Sequence, residues 1–136
     1  MVDFVAELAA GRTIAAADTN AVHAFFEGKL DEKIALLRRF FEQGRLLLPP
    51  PVLSEVLSDP RLPVDKSATI RVLPLLPLRD GYWKRAGLTR AWLKSQGYKG
   101  ALGDCLIAQA CIDARVPLIT YDRDFRHFTD AGLILI

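Results

Sequence analysis

The chemistry that this sequence can offer lies mainly in its carboxylates. Four acidic residues fall where a predicted strand ends or a predicted helix begins, and they are Asp18, Glu55, Asp104 and Asp122. Carboxylate oxygens are the ligands that hard divalent cations prefer. A Mg²⁺ or Mn²⁺ ion held by carboxylates and water, with open coordination positions, suits phosphoryl chemistry. These residues are therefore the first candidates for a metal-binding catalytic site.

Each of these acids also has an ordinary structural interpretation. Aspartate is a good helix N-cap, which fits Asp18 and Asp104, whereas Glu55 fits a solvent-facing helix position and Asp122 a turn. No one of the four is specific by itself. Together they would crowd like charges at one sheet edge, which raises pKa values and destabilises the fold unless a cation is present. Their convergence favours one divalent-cation site over four separate structural roles.

The scarce residue types exclude several other kinds of site. Only two histidines are present, His23 and His127, and nothing has the ligand spacing of a Cys/His zinc site. The sequence contains no Gly-rich phosphate loop followed by Lys-Ser or Lys-Thr, no dinucleotide-binding fingerprint and no Gly-x-Ser-x-Gly turn. We therefore expect chemistry that depends on oxygen ligands and not on a covalent nucleophile.

Length and composition predict one domain over residues 1–136, with 1–12 as an N-terminal lead. No apolar run approaches the ~20 residues that span a bilayer, and the start Met1-Val2-Asp3 lacks the features of a secretory signal. Cys105 and Cys111 lie on one predicted helix, about 240° apart around its axis and ~9 Å apart along it, so they do not bridge. We expect a cytoplasmic protein with reduced, buried cysteines.

Strands and helices are predicted to alternate along the chain. Apolar segments predict strands at 12–17, 46–48, 70–73, 116–120 and 133–136. Helical periodicity and helix-end signals predict helices at 20–27, 30–43, 52–58, 80–96 and 104–115, with a loop at 59–67. Short, continuously apolar strands separated by helices are typical of a parallel sheet covered on both faces. The prediction is an α/β fold, a three-layer α/β/α sandwich with a short four- to five-stranded parallel sheet.

The position of Asp104 on its predicted helix sharpens the argument. Sites in open α/β sheets form where strands end and helices begin. Asp104 heads an apolar stripe formed by Ile107, Ala108 and Cys111, which the helical period turns toward the sheet. Burying an isolated carboxylate there costs several kcal/mol unless something compensates its charge. Taken alone, an N-cap role explains Asp104, and only its convergence with the other acids favours a cation.

A basic segment between residues 79 and 99 is a candidate nucleic-acid surface. Its basic residues outnumber its one acid, Asp80, and they are Arg79, Lys84, Arg85, Arg90, Lys94 and Lys99. Aromatic residues are interleaved with them, namely Tyr82, Trp83, Trp92 and Tyr98. Backbone contacts combined with base stacking are how proteins bind single-stranded nucleic acid. The alternative is a solvated helix whose aromatic residues belong to the core or to a dimer face.

Four phenylalanines on the first two predicted helices are candidates for a partner groove: Phe25, Phe26, Phe40 and Phe41. Such a groove would accept an amphipathic helix of another protein or a second copy of the chain. An ordinary core role explains the same four residues equally well.

Four short motifs, in this order, resemble the PIN-domain nucleases, and especially the small VapC-like toxins of prokaryotic toxin–antitoxin pairs. The resemblance covers residues 13–136, and each motif is short, so its specificity comes from their order and spacing. The motifs are Asp18-Thr19-Asn20, Pro51-Val-Leu-Ser-Glu55, Gly103-Asp104-Cys-Leu-Ile107-Ala108-Gln-Ala110 and Thr120-Tyr-Asp122-Arg-Asp124-Phe125.

This resemblance implies an α/β/α sandwich and a Mg²⁺- or Mn²⁺-dependent ribonuclease. By motif, the acidic metal-binding and catalytic positions are Asp18, Glu55, Asp104 and Asp122, with Asp124 as a fifth candidate. Asn20 and Thr120 match polar positions that help orient the site. The implied partners are an RNA substrate and a cognate antitoxin protein, and the candidate phenylalanine groove adds a second copy of the chain as an expected partner. The chain departs from the small toxins in having about a dozen residues before the first strand.

Three rival interpretations stay open from the sequence. The first is a PIN-type nuclease that processes RNA or acts on structured DNA without an antitoxin. The second is a non-catalytic protein that keeps the fold for binding, against which the acids at all four positions argue. The third is a receiver-like or flavodoxin-like module with a Mg²⁺ pocket, which the helical locations of Glu55 and Asp104 disfavour.

Overall fold

The computed structural model of the protein describes residues 13–136, and the predicted lead at 1–12 lies outside the described residues, as does Arg12 of the first predicted strand. Strand β1 (Ala15–Ala17) is the centre of a parallel sheet, with β2 (Leu46–Leu47) on one side and β3 (Leu118–Ile119) on the other. Ala16 pairs with Leu47 in β2 and with Leu118 in β3.

Single parallel bridges extend the sheet by one chain segment at each edge. Leu48 pairs with Leu75 beyond β2, and Leu118 pairs with Leu135 beyond β3. Three strands and two bridging segments therefore run in parallel, which agrees with the predicted small parallel sheet. The predicted strand at 133–136 is reduced to the bridge at Leu135.

The predicted strand at 70–73 was wrong. Residues Val64–Val72 form a helix, and the sheet contact falls two residues beyond the predicted strand, at Leu75. Pro63 starts this helix and Pro74, which has no N–H to donate, follows its end. The β-branched residues at 70 and 72 suggested a strand, but of the helix only Ile70 is buried. The predicted loop at 59–67 was wrong in part, because the helix Val64–Val72 begins within it.

Six α-helices and a 3₁₀ helix complete the described chain. In chain order the α-helices are α1 (Thr19–Phe26), α2 (Glu32–Glu42), α3 (Pro50–Leu57), α4 (Val64–Val72), α5 (Tyr82–Ser95) and α6 (Leu102–Ala114), and the 3₁₀ helix is Arg123–Ala131. Helix α6 begins two residues before Asp104, with Ala101 as its N-cap. Asp104 therefore lies in the first turn and is not the cap.

Side chains in β1 show that both faces of the sheet are covered. Successive strand residues point to opposite faces, and Ala15, Ala16 and Ala17 are all fully buried. Small side chains at these positions let the helices approach the sheet closely. Cys105 and Cys111 are buried and free, as predicted for reduced core cysteines. No helix in residues 13–136 is long and apolar enough to cross a membrane.

Polar contacts fix α5 against α6, the helix that carries Asp104. The buried Tyr82 hydroxyl donates to the Leu106 carbonyl at 2.6 Å. Arg85 forms a bidentate pair with Asp113, at 3.0 Å from Nε to Oδ1 and 2.7 Å from Nη2 to Oδ2. The Gln109 amide, on α6 itself, donates to the same Asp113 carboxylate at 2.9 Å. The contacts of Tyr82 and Arg85 hold α5 and α6 together.

Candidate active site

Asp18 lies at the carboxyl end of β1 and is the N-cap of α1. Its Oδ1 accepts a hydrogen bond from the Ala21 N–H at 2.8 Å, which satisfies one of the free donors of the first turn. The residue is 2% exposed. Burial raises its pKa, the hydrogen bonds from Thr120 and Ala21 act in the opposite direction, and the net shift is upward. The predicted capping role and the predicted place at the strand end therefore coexist in one residue.

Thr120, one residue after β3, connects two of the acids. Its hydroxyl donates to Asp18 Oδ2 and accepts from the Asp122 N–H at 2.9 Å. Its carbonyl accepts from Lys33 Nζ on α2. Thr120 is 5% exposed, so a hydroxyl without these partners would be costly. The side chain fixes the spacing between the ends of β1 and β3.

Glu55 reaches the same region from α3. Its Oε1 accepts a hydrogen bond from the Thr19 hydroxyl at 2.8 Å. A Cβ placed on Gly103 would lie 3.8 Å from Glu55 Oε2, so the carboxylate lies against the first turn of α6. Glu55 itself is exposed. Thr19 therefore holds the one long acidic side chain of the group beside Asp104.

The negative charges of the neighbouring carboxylates all act on Asp104. Burial is the main cause that raises its pKa to about 6, and the charges of Asp122, Glu55, Asp124 and Asp18 raise it further. Asp122 caps the 3₁₀ helix, since its Oδ1 accepts from the Asp124 N–H at 2.9 Å. Like charges that raise a pKa in this way must lie near one another.

One cavity of about 120 Å³ collects the four predicted acids. Its polar lining residues are Asp18, Thr19, Asn20, Glu55, Asp104 and Asp122. Asn20 is exposed at its rim, whereas Asp124 lines an adjoining cavity that shares Asp104 and Asp122. None of the described residues that line the smaller cavity is basic, so its negative charge has no counterion in the lining.

The donor set fits a hard divalent cation in its chemistry. In residues 13–136, as the side chains stand, no three His, Cys, Asp or Glu residues are close enough together to hold a metal ion. Both Asp18 oxygens and one Glu55 oxygen accept hydrogen bonds within the chain. Carboxylates around one cavity without a basic neighbour are nevertheless the oxygen ligands that Mg²⁺ and Mn²⁺ take.

The predicted basic segment divides into two groups. Arg85 pairs with Asp113, and the Arg90 guanidinium donates to the Gly100 carbonyl at 2.8 Å. The other four basic residues are exposed: Arg79, Lys84, Lys94 and Lys99. Of these, Lys99 lines the cavity next to the acids.

The aromatic residues of the segment divide in the same way. Tyr82 is buried between α5 and α6, so for this residue the core alternative holds and base stacking does not. Trp83, Trp92 and Tyr98 are 68%, 36% and 40% exposed. Of these three, Tyr98 lines the cavity that adjoins the acids.

The four candidate groove phenylalanines are mostly packed inward. Phe40 is fully buried, and Phe25, Phe26 and Phe41 pack as partly buried residues against the core. The ring of Phe25 lies 5.3 Å from Phe41 and 5.8 Å from Phe26, centroid to centroid. The ordinary core role accounts for Phe40, and the other three leave a partly exposed apolar edge.

Two features beside the acids have no signal in the sequence. Lys33 binds the Thr120 carbonyl, and Lys29 and Lys33 lie 4.9 and 5.2 Å from the Tyr121 ring centroid. The Tyr121 hydroxyl donates to Asp31. This second basic group comes from the loop before α2 and from its first turn. Neither periodicity nor spacing connects it to residue 121.

A family model described as PIN domain matches residues 15–131 and so includes all of the predicted acidic positions. A search of curated proteins returned no match.

Proposed function

This chain belongs to the PIN-domain family, whose members are generally nucleases, and we propose that it is a divalent-metal-dependent endoribonuclease that acts as the toxin of a type II toxin–antitoxin pair. One observation carries the proposal, namely the cavity that Asp18, Glu55, Asp104 and Asp122 line together. The order of the four motifs, which resembles the VapC-like toxins, supports the toxin assignment. The proposed place of action is the cytoplasm.

We assign the four acids as the ligands of Mg²⁺ or Mn²⁺. A bound ion would supply Lewis-acid stabilisation of a phosphate oxygen and would activate water. Thr120 holds Asp18 and the backbone at Asp122 in position. Asp124 is the proposed fifth acid, and Asn20 the proposed polar group at the rim. Thr19 restrains the Glu55 carboxylate.

The reaction we propose is hydrolysis of an RNA phosphodiester. Water attacks phosphorus in line with the leaving oxygen, one P–O bond breaks, and the fragments end in a phosphate monoester and a hydroxyl. The carboxylates of the cavity are acceptors for the proton that water loses. No covalent intermediate with the protein is required, which agrees with the absence of a Gly-x-Ser-x-Gly turn from the sequence.

The substrate must be held against the repulsion of the acids. We propose that the exposed basic residues Arg79, Lys84, Lys94 and Lys99 attract the RNA backbone. Arg85 and Arg90, whose guanidinium groups bind Asp113 and the Gly100 carbonyl, contribute through the fold instead. Net charge is only +2, so local placement of the lysines matters more than total charge.

Partner binding is proposed on exposed apolar side chains. Trp83, Leu88 and Trp92 on α5 are 68%, 71% and 36% exposed. Exposed large apolar side chains are common at protein interfaces. We propose that a second copy of the chain and a cognate antitoxin cover these side chains and the partly exposed phenylalanines.

The test is cleavage of RNA and DNA oligonucleotides side by side, by wild type and by Asp104→Asn. Each is assayed with Mg²⁺, with Mn²⁺ and with EDTA. We expect RNA cleavage only by wild type with metal. Asp130→Asn is the matched control, because Asp130 is an exposed acid outside the cavity. Cleavage by wild type in EDTA, or cleavage by Asp104→Asn at the wild-type rate, would contradict the mechanism.

The toxin assignment has its own test. Expression of the wild type is expected to arrest growth, a small neighbouring gene product is expected to relieve the arrest, and Asp104→Asn is expected to be harmless. If wild type cuts RNA in vitro but its expression is harmless, the chain is a PIN-type nuclease without a toxin role.

A further inference from the structure

A second cavity, of about 220 Å³, adjoins the acidic one and shares Asp104 and Asp122 with it. Pockets for drug-sized ligands measure roughly 300–1,000 Å³, so this one suits a group no larger than a single heterocycle. Because two carboxylates line both cavities, anything held in the larger one lies next to a bond cut in the smaller one.

Two stacked rings form part of the wall of this second cavity. The rings of Tyr98 and His127 lie 3.8 Å apart, centroid to centroid, and 9° from parallel. Leu93 and Phe128 line the same cavity and are buried, so part of the wall belongs to the apolar core. Tyr98 remains 40% exposed. The wall therefore combines an accessible aromatic surface with a rigid support.

The backbone holds Tyr98 in place. Gly97 follows the end of α5 with a φ of +85°, a conformation that glycine adopts without strain. The Tyr98 N–H donates to the Leu93 carbonyl and the Gly97 N–H to the Lys94 carbonyl, both at 3.0 Å. These two bonds form a Schellman motif, which often brings the residue after the glycine against the last helical turn. Tyr98 is thus positioned before any ligand arrives.

The end of the loop is also tied back to α5. The Arg90 side chain donates to the Gly100 carbonyl at 2.8 Å. His127 comes from a different element, the 3₁₀ helix that Asp122 caps. The stack therefore links the end of α5 to the segment that carries Asp122 and Asp124. A ligand on the rings would have a fixed position relative to the acids.

We infer that this second cavity is a nucleobase subsite, in which the Tyr98 ring, supported from behind by His127, stacks a base next to the scissile phosphate of a single-stranded RNA. The inference rests on the proposed nuclease function and adds the place where the protein binds a base of the RNA. Aromatic and histidine rings are the usual platforms for unpaired bases. A base is uncharged, so the adjoining carboxylates do not repel it, while Lys99 at the same cavity suits the neighbouring backbone phosphate.

The test is a cycle that removes the ring and the base separately. Wild type and Tyr98→Ala are given an RNA oligonucleotide with a known cleavage position, and the same oligonucleotide with an abasic residue on either side of that position. Stacking contributes ~1–3 kcal/mol per base, or about 5- to 150-fold. We expect one abasic substitution to slow cleavage by wild type by that factor and to have little further effect on Tyr98→Ala. Equal effects on both proteins would overturn the inference.

Two variants guard against a folding artefact. Tyr98→Phe keeps the ring and is expected to keep the dependence on the base. Val72→Ala removes an exposed apolar side chain of α4 that lies outside both cavities, and it is expected to leave that dependence at the wild-type value. Retention of the full wild-type dependence in Tyr98→Ala would place the base elsewhere and overturn the inference.

A binding measurement separates this inference from the proposed function. An RNA oligonucleotide carrying 2-aminopurine is titrated with protein in EDTA, where cleavage is not expected. We expect fluorescence quenching with wild type and about 5- to 150-fold weaker binding with Tyr98→Ala. If wild type cuts RNA but shows neither quenching nor base dependence, the subsite is absent and the nuclease stands. If wild type binds and quenches but never cuts, the proposed function fails and the subsite stands.

Discussion

The Thr120 hydroxyl donates a hydrogen bond to the Asp18 carboxylate across 102 positions of the chain. The same hydroxyl accepts from the Asp122 N–H at 2.9 Å. Asp18 and Thr120 each follow one of two parallel strands that are neighbours in the sheet. The Thr120 side chain therefore spans the edge where the carboxylates lie. Its removal would leave a buried carboxylate oxygen and a backbone donor without partners.

Thr120→Val, which removes the hydroxyl and keeps the shape, is expected to lower the free energy of unfolding by about 1–3 kcal/mol. Thr120→Ser keeps the hydroxyl and is expected to retain most of the stability. Urea denaturation of the three proteins in EDTA at pH 7.5 measures the difference. A Thr120→Val protein as stable as wild type would show that the hydrogen bond to Asp18 contributes nothing.

Asp104 gives a prediction for pH dependence in the metal-free protein. Burial and the neighbouring acids raise its pKa from 3.8 to about 6. Because the folded pKa is the higher one, the folded state holds the proton more tightly, and stability falls as pH rises between about 4 and 6. At pH 7.5 in EDTA, Asp104→Asn is therefore expected to be more stable than wild type by about 1 kcal/mol, allowing for solvent screening.

The control for Asp104→Asn is Asp130→Asn, which changes an exposed acid. Thermal denaturation at pH 4 and pH 7.5 should show the gain of Asp104→Asn only at the higher pH. With saturating Mg²⁺ the order is expected to reverse, since the ion stabilises wild type by binding its folded state. Lower stability of Asp104→Asn at pH 7.5 without metal would contradict the crowding of charge at this site.

Asp113 is expected to change the stability with pH in the opposite direction to Asp104. Its burial raises its pKa, but hydrogen bonds from Arg85 and Gln109 outweigh burial and the net shift is downward. A depressed pKa adds stability above the unfolded value, and this stability is lost as pH falls through the folded value. We expect Arg85→Met to lose about 1–3 kcal/mol at pH 7, because it leaves a nearly buried carboxylate without its charged partner.

The loss in Arg85→Met should shrink on acidification, once Asp113 takes up a proton. Chemical denaturation at pH 7 and at pH 3.5 measures this change. Lys84→Met, which removes a neighbouring exposed charge on the same helix, is expected to change the stability by less than ~0.5 kcal/mol. A loss for Arg85→Met that is equal at both pH values would refute the ion-pair role.

Lys94 and Lys99 carry the prediction for RNA attraction. Both are exposed, so Lys94→Gln and Lys99→Gln are expected to fold normally. Each should weaken RNA binding for all sequences alike and reduce the slope of log K against log[salt] by about one. Fluorescence titration across a range of KCl concentrations measures that slope. Lys66→Gln on α4, which removes one charge outside the segment, is the control, and an equal effect there would point to net charge alone.

The positions of the acids relative to the sheet could be predicted because they depend on local patterns. Apolar runs that stop at Asp18 or before Asp122 mark strand ends, and parallel strands bring their carboxyl ends to one edge. The position of Asp104 could be predicted from the helical period, although the helix begins two residues earlier than predicted. These relationships depend on spacings of a few residues.

Long-range pairings could not be predicted because nothing local encodes them. The Tyr98–His127 stack, the Thr19–Glu55 hydrogen bond and the Arg85–Asp113 pair each join separate elements. The strand prediction at 70–73 failed for a related reason. Its β-branched residues favour a strand, but packing of one face through Ile70 makes it the end of a helix. Tertiary contacts decided all four cases.

Equilibrium binding of Mn²⁺, followed by calorimetry, tests the central claim most directly, because it does not depend on the choice of nucleic acid. The claim is that Asp18, Glu55, Asp104 and Asp122 hold a divalent ion in the cavity they share. We predict saturable binding to wild type and to Asp130→Asn, and loss of that binding in Asp18→Asn and in Asp104→Asn, each verified as folded by circular dichroism. Binding of Mn²⁺ to folded Asp18→Asn and Asp104→Asn with wild-type affinity, or no binding to wild type, would contradict the account.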